Sequence, residues 1–378
     1  MPTPGYPPAR AIAPAVHDHF ARHIASARAE GSDPLPAPPD IEAIEAIIDA
    51  AFWASLRRAE GYVPKISLAL VAPEQAAPSL VFERSMPLAT SSLVRIAAAV
   101  ERPGIHLGVW REGDRLRVWG AARTVPRFCF VLEVTAPGLL VVKHHRGEVG
   151  KFVNVAVIEG DQVKVIDEQA SSLPDCPPLL TSLLGFETAG SWTGSVNVLV
   201  QLAVSMRAHG RGGALLVVPA DRDAWRESIV RPAPYTVAPP FSELAELVQQ
   251  AEDERAKRRW RDALAEAVSA VAGLTAVDGA TVLTASYDVV MFGAKIARRT
   301  GSPQVQKVAV TEPIQGGTKA VVHPNRLGGT RHLSAAQFVH DQHDAIALVA
   351  SQDGRFTVFA WSPCEELVHA HRVETLLL

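Results

Sequence analysis

Two short stretches of the chain carry residue types that suit polyphosphate chemistry. One is a glycine-rich loop that ends in two basic side chains and precedes a helical pattern, Gly328-Gly329-Thr330-Arg331-His332. Glycine lets backbone N–H groups turn toward a ligand, and a helix N-terminus adds a partial positive charge. The Arg331 guanidinium adds a planar fork of donors that matches phosphate oxygens. The loop therefore predicts a phosphate-binding site.

The other stretch, Asp278-Gly279-Ala280, places a carboxylate on a tight turn where a strand pattern begins. A carboxylate can hold a divalent metal or accept a proton, and polyphosphate chemistry needs such a group beside the phosphate donors. Each stretch also has an ordinary structural explanation, because Asp-Gly is a frequent turn and Gly-Gly a frequent loop. From the residues alone, both interpretations stay open.

Helix and strand patterns surround these two stretches. A helical pattern follows Arg331 at 333–339, and a longer one covers 241–272. Apolar runs bounded by turn residues predict strands at 214–218, 281–284, 289–294, 344–351 and 355–360. The polar segment 295–319 between the two stretches is interpreted as an inserted loop or hairpin.

In this order the pieces resemble the diadenylate cyclase domain of bacteria. The matching motifs are Gly-Ala-Leu-Leu-Val, then Asp-Gly-Ala, then Gly-Thr-Arg-His, then a strand that ends in serine, within residues 196–359. The resemblance implies a mixed sheet wrapped by helices. It also implies that two domains meet face to face in a homodimer or higher homo-oligomer. Each domain then holds one ATP, and the pair forms cyclic di-AMP and pyrophosphate with Mg²⁺ or Mn²⁺.

The resemblance assigns roles residue by residue. Asp278 matches the aspartate that binds the metal and helps to activate the attacking hydroxyl, and Arg331 and His332 match catalytic positions of the phosphate-binding motif. The matching nucleotide-binding positions are Gly279, Ala280, Gly329, Thr330 and Ser351.

Two departures from the family pattern support a second hypothesis. The family motif continues Arg-His-Arg, whereas this chain has Leu333, and loss of a charged donor at a transition state can cost ~3 kcal/mol. The chain also carries an insertion at 298–320, where Arg298, Arg299 or the nearby Arg326 could supply the missing charge. The alternative is a catalytically degenerate module that binds ATP or a cyclic dinucleotide as a sensor. A purely structural role for the loops is a third reading.

The chain before residue 195 follows different patterns. Residues 1–40 are proline-rich and are interpreted as an arm with one helical piece at 15–29. Residues 41–58 predict a helix that Asp40 can cap, and alternating runs between 65 and 167 predict a mostly antiparallel sheet. Residues 41–190 form an α+β region that resembles, more weakly, the accessory sensor regions that precede such cyclases. A linker at 167–194 then precedes the cyclase-like domain at 195–378.

Composition limits the partners. With 48% hydrophobic and 20% charged residues and a net charge of −3, the chain can bury a core but has no global attraction for nucleic acid. The three cysteines are far apart and indicate no disulfide framework or zinc site, which fits a reducing cytoplasm. No apolar run approaches the ~20 residues of a membrane helix, and the N-terminus lacks a signal-peptide pattern. We therefore expect a cytoplasmic protein with no membrane partner.

Overall fold

The structure is a computed structural model that describes residues 5–31, 35–58, 61–76, 79–102, 104–145, 152–167 and 198–378. The chain divides into two compact units, Met1–Ile166 together with Leu378, and Asp167–Leu377. Beyond residue 167, the linker predicted at 167–194 lies outside the described residues. The described residues form helices and two mixed sheets, so the predicted α+β class is confirmed.

The first unit packs helices on an eight-stranded sheet. Its helices are α1 (Pro7–Ala29), α2 (Ile41–Ser55) and α3 (Thr90–Ile96). Its strands are β1 (Ile66–Leu70), β2 (Ser79–Pro87), β3 (His106–Glu112), β4 (Arg115–Ala122), β5 (Phe130–Ala136), β6 (Leu139–His145), β7 (Phe152–Glu159) and β8 (Gln162–Val165). The strand order is β2-β4-β3-β1-β5-β6-β7-β8. Among these, β1 and β3 are parallel and the other pairs are antiparallel, as predicted.

Helix α2 begins where the sequence predicts it. The Asp40 carboxylate accepts the Ala43 N–H at 2.7 Å, which satisfies one of the free donors at a helix start. Ile44, Ile47 and Ile48 are fully buried, as the helical spacing requires. The helix ends at Ser55, three residues before the predicted end, which leaves Arg57 and Arg58 beyond it.

Helix α1 corrects the interpretation of residues 1–40 as an arm. The helix begins at Pro7 rather than near residue 15, because proline fits the first helical turn, where its missing N–H costs nothing. Ile12, Val16 and Phe20 lie one turn apart and are buried in the core of the first unit. The high proline content masked this amphipathic face.

The second unit contains a nine-stranded mixed sheet. Its helices are α4 (Val198–Ala208), α5 (Glu243–Gln249), α6 (Glu252–Arg255), α7 (Arg258–Leu274) and α8 (Thr330–Asp341). Its strands are β9 (Gly213–Val218), β10 (Tyr235–Phe241), β11 (Ala280–Thr284), β12 (Val289–Ala294), β13 (Val308–Thr311), β14 (Ala320–Val322), β15 (Ile346–Ala350), β16 (Phe356–Ser362) and β17 (Leu367–Arg372). The order is β10-β12-β11-β9-β15-β16-β17-β13-β14, with β9–β11 and β13–β17 parallel.

The second unit confirms most of the predicted elements, divides one predicted helix and adds strands that were not predicted. The continuous helix expected at 241–272 is three helices, α5, α6 and α7. Strands β10 and β17 were not predicted; β10 contains two prolines, which a sheet tolerates at its edge, and β10 is an edge strand. The segment 295–319, interpreted as an inserted loop or hairpin, contains one strand, β13. This strand forms an antiparallel pair with β14, which begins just beyond the segment, and a parallel pair with β17.

Strand β17 buries a histidine whose ionisation links stability to pH. Burial lowers the pKa of His371 to about 3, with a smaller contribution from His369, and its Nδ1 lies 2.7 Å from the Thr311 hydroxyl. Between that value and the ordinary 6.5, the unfolded chain binds a proton that the native state excludes. The native state is therefore favoured above pH 6.5 and loses stability as the pH falls toward 3.

We expect the His371→Gln variant to reduce this loss. Between pH 7 and 5, His371 should account for about 2 kcal/mol of the decrease in unfolding free energy, and the variant should lack that part. Urea unfolding at the two pH values measures the difference. His17→Gln, which changes a half-buried histidine of the first unit, is the control. An equal decrease in wild type and His371→Gln would contradict the assignment.

Candidate nucleotide site

The register of three strands brings distant parts of the chain to one end of the second sheet. Strand β11 runs parallel to β9 with Thr281 beside Leu215, and β15 runs antiparallel to β9 with Ala350 beside Gly213. These pairings bring three turns to the same end of the sheet: the turn before β11, the turn before β9 and the turn after β15. These turns carry Asp278, Gly212 and Ser351.

The Arg331 side chain, in the first turn of α8, reaches the same end of the sheet. A Cβ at Gly212 would lie 3.1 Å from Arg331 Nη1 and 3.2 Å from the Ala350 carbonyl oxygen. The Arg331 charge also contributes to lowering the pKa of Asp278. Arg331 Nε is buried and has no hydrogen-bond partner among the described residues. The structure thus brings together Asp278, Arg331 and the turn that contains Ser351.

Asp278 is paired with a lysine that the sequence analysis missed. Its carboxylate lies 2.5 Å from Lys295 Nζ, and 85% of its side chain is exposed. The hydrogen bond from Lys295, and then the lysine charge, hold the pKa of Asp278 below its usual range. Antiparallel pairing of Ala280 with Ala294 places the next residue, Lys295, beside the turn. The hairpin pattern of the two strands was the available signal, but a bulge in β12 shifts the register.

Two glycines let the Asp278 turn lie against β12. Gly279 has a φ of +111°, and a Cβ on it would lie 2.4 Å from the carbonyl carbon of Gly293. Gly293 has a φ of +63° at the bulge, with the ring of Tyr235 against its open side. Gly279 and Ala280, predicted to contact the nucleotide, are therefore held by backbone packing. Ala280 itself is buried in the sheet.

The N-terminus of α8 is an uncapped group of backbone donors. Gly329 occupies the N-cap position, no side chain caps this end, and the first turn contains no acidic residue. Gly329 and Thr330 are exposed, and a Cβ on Gly329 would meet nothing within 4 Å. Free N–H groups at the positive end of a helix are suited to phosphate oxygens.

His332 lies beneath the glycine loop. It is 3% exposed, its ring packs edge-on against Phe359, and its Nδ1 would lie 2.6 Å from a Cβ on Gly328. Burial lowers the pKa of His332, so the imidazole is neutral at pH 7. Its geometry suits a residue that supports the loop, whereas Arg331 carries the positive charge of this motif.

Leu333, at the departure from the family motif, packs against the apolar core of the second unit. Of the arginines considered as substitutes, Arg299 bonds Glu227 at 2.8 Å, and its backbone N–H donates to Asp341 at the C-terminal end of α8. It therefore lies at the opposite end of α8 from Arg331. Arg326 belongs to the short turn Pro324–Arg326, just before Gly329.

The residues present fit a metal that binds together with a nucleotide. Among the described residues, no group of three or more histidine, cysteine or acidic side chains could hold a metal ion. Asp278 is a single exposed carboxylate, and Mg²⁺ commonly takes one or two carboxylates, substrate phosphates and water. Asp278 could thus be a protein ligand of Mg²⁺ or Mn²⁺, provided that Lys295 gives way.

Comparisons with known proteins concern mainly the first unit. Residues 33–123 match the family model described as "Probable sensor domain DACNV". The match covers α2, β1, β2, α3, β3 and β4. This part of the first unit is therefore similar to a family described as a probable sensor domain, which agrees with the resemblance noted in its sequence.

Other comparisons add little. No curated protein matches the chain. A solved structure, described as the hypothetical membrane spanning protein from Bacillus cereus, is 16% identical with a TM-score of 0.27. The match covers 46% of this chain and 61% of that one, less than two thirds of its length. Among the described helices, none has the length and hydrophobicity needed to cross a bilayer.

Proposed function

We propose that the second unit is a nucleotidyltransferase that condenses two ATP molecules into one cyclic di-AMP and two pyrophosphates. Two copies of the unit would meet face to face, each presenting one ATP, and the first unit would regulate them. One observation carries this proposal. Asp278 and Arg331 are 53 positions apart in the chain and converge at the end of the sheet where α8 begins. This convergence puts a carboxylate and phosphate donors within reach of one ligand.

In this proposal the α8 N-terminus and Arg331 bind phosphate oxygens. The lowered pKa of Asp278 keeps its carboxylate ionised at neutral pH, so the residue suits metal binding better than proton abstraction. Lys295 neutralises that carboxylate before a nucleotide arrives and can then turn its N–H donors to a phosphate. A bound Mg²⁺ or Mn²⁺ supplies neutralisation of charge on the α-phosphate. Dimerisation would bring the 3′-hydroxyl of each ATP to the α-phosphate of the other, which is proximity catalysis. Each attack would break an α–β phosphoanhydride bond and release pyrophosphate.

Leu333 favours the alternative of a degenerate module that binds ATP or a cyclic dinucleotide without turnover. Its side chain packs in the core, so this position offers no donor to a phosphate. The Lys295–Asp278 ion pair also has to open before Asp278 can bind a metal. Neither feature removes the phosphate-binding groups of α8, so both hypotheses predict nucleotide binding by the second unit.

Incubation of the purified full-length protein with ATP and Mg²⁺ or Mn²⁺, with products separated by mass, tests the proposal. Cyclic di-AMP and pyrophosphate are the expected products. ATP binding by calorimetry without product would replace the cyclase by the binding module. Neither binding nor product would refute both.

The Arg331→Ala variant is expected to weaken ATP binding by about tenfold or more, because one charge-assisted donor group is lost. Calorimetry of the full-length protein measures the change. Arg222→Ala is the matched control, since Arg222 bonds Asp344 at 2.8 Å at the other end of β15 from Ser351. Equal ATP affinity in the two variants would contradict the assignment of Arg331.

A further inference from the structure

The first unit contains an open cleft of about 1280 Å³ that none of the motifs discussed above explains. Its walls are the last turns of α2, the segment that leads into β1, and α3 with the turn that follows it. All of these elements lie within the residues that match the sensor family. A sensor domain needs a place for its signal, so the chemistry of this cleft is informative.

Positive charge dominates the lining. Four basic residues line the cleft, Arg57, Arg58, Lys65 and Arg95, against two acidic ones, Asp49 and Glu101. Within the described part of the chain, no carboxylate forms an ion pair with any of the four cations. The Asp49 carboxylate already accepts the Tyr6 N–H at 2.7 Å. Among the described residues, these basic side chains thus have no carboxylate partner that an anion would have to displace.

Helix electrostatics explain only part of this arrangement. Arg57 and Arg58 follow the C-terminus of α2, where cations are favourable without any ligand. Arg95 likewise lies in the last turn of α3, so the explanation covers the position of each arginine on its own helix. It does not extend to Lys65, which precedes β1, and it does not explain why the ends of two helices and this segment line one cleft. Convergence of cations from three separate segments indicates an anionic ligand.

The rest of the lining suits a ligand that is not a bare ion. Tyr62 lines the cleft with 79% of its surface exposed, and an exposed aromatic ring offers a face for stacking. Thr90 and Ser91 add hydroxyl groups, and Ala46, Ala50 and other small apolar side chains form much of the remaining wall. A phosphate ester joined to a planar base matches basic, hydroxyl and aromatic groups together.

We propose that this cleft of the first unit binds a nucleotide, with its phosphate on the arginines and its base on Tyr62. The site is separate from the one at Asp278 and Arg331, and the proposal does not depend on whether the second unit turns over ATP. It gives the sensor region a chemical class of signal, a phosphorylated nucleoside.

The test is calorimetric titration of the full-length protein that carries Asp278→Ala and Arg331→Ala, so that the second unit contributes least to the heat. The probes are AMP, ATP, GTP and UMP, with inorganic phosphate and adenosine as partial ligands. At least one nucleotide should bind more tightly than either partial ligand. Adding Arg58→Gln and Arg95→Gln should weaken that binding by about tenfold or more. Adding Arg123→Gln, a change outside the cleft, should leave it unchanged.

Substitution of Tyr62 provides a second test that does not perturb folding, because the exposed Tyr62 side chain contributes little to the core. Tyr62→Ala should weaken nucleotide binding about fivefold or more, while Tyr62→Phe should keep it. Binding of phosphate as tight as that of every nucleotide, no binding of any nucleotide, or equal binding in the Arg58/Arg95 and Arg123 variants would each overturn the proposal. None of these results bears on ATP turnover by the unsubstituted protein.

Discussion

Replacing Asp278 by alanine is expected to slow cyclic di-AMP formation by at least two orders of magnitude and to leave the fold intact. The side chain is 85% exposed and is paired only with Lys295 among the contacts described, and an exposed ion pair contributes little to stability. The carboxylate is nevertheless the proposed protein ligand of the metal at the α-phosphate. Its loss should lower the rate by roughly 10²–10³-fold or more. Mass analysis of products and circular dichroism of the same sample measure the two effects.

Two further variants test the negative charge of Asp278 and its pKa. Asp278→Asn keeps the size of the side chain and loses its charge, so it should be as inactive as Asp278→Ala. Lys295→Met removes the hydrogen bond and the charge that lower the pKa of Asp278, so that pKa should rise toward its ordinary value. The acid side of the activity profile should then move to higher pH. An Asp278→Asn enzyme with wild-type activity would exclude the carboxylate from catalysis.

The Gly279→Ala substitution should destabilise the second unit by about 3 kcal/mol or more. Its φ of +111° strains any residue with a Cβ, and that Cβ would lie 2.4 Å from a backbone carbon of Gly293. The nearest atoms to that Cβ are all backbone atoms of Gly293 and Ala294, so no flexible side chain can move to make room. Hydrogen exchange of peptides that cover β11 and β12 measures the loss within the second unit.

Two other glycines of the same unit serve as controls. Gly301 has a φ of +81° with nothing within 4 Å, so Gly301→Ala reports the backbone strain alone, about 1 kcal/mol. Gly329 has a φ of −76° and open space around it, so Gly329→Ala should cost only the weaker N-cap preference of alanine, about 1 kcal/mol or less. A Gly279→Ala protein as stable as the Gly301→Ala protein would show that the contact with Gly293 relaxes without cost.

Much of the local structure follows from sequence patterns. Asp40 begins α2 as its capping chemistry indicates. The sequence Glu-Gly-Asp occurs at 112–114 and again at 159–161, and these turns join β3 to β4 and β7 to β8. The glycine loop starts a helix at Thr330, and the strands around Asp278 lie within a residue or two of their predicted positions. These features depend on neighbours in the chain, which a single sequence contains.

Features that depend on partners distant in the chain could not be predicted in this way. Lys295 meets Asp278 because a bulge at Gly293 sets the register of β12 against β11. Gly212 receives the Arg331 side chain because β9, β11 and β15 align their ends. The residue types in the sequence identify the groups that could bind a phosphate. Long-range strand pairing decides which of these groups lie at the same end of the sheet. Each pairing depends on contacts across the whole sheet and not on local sequence preference.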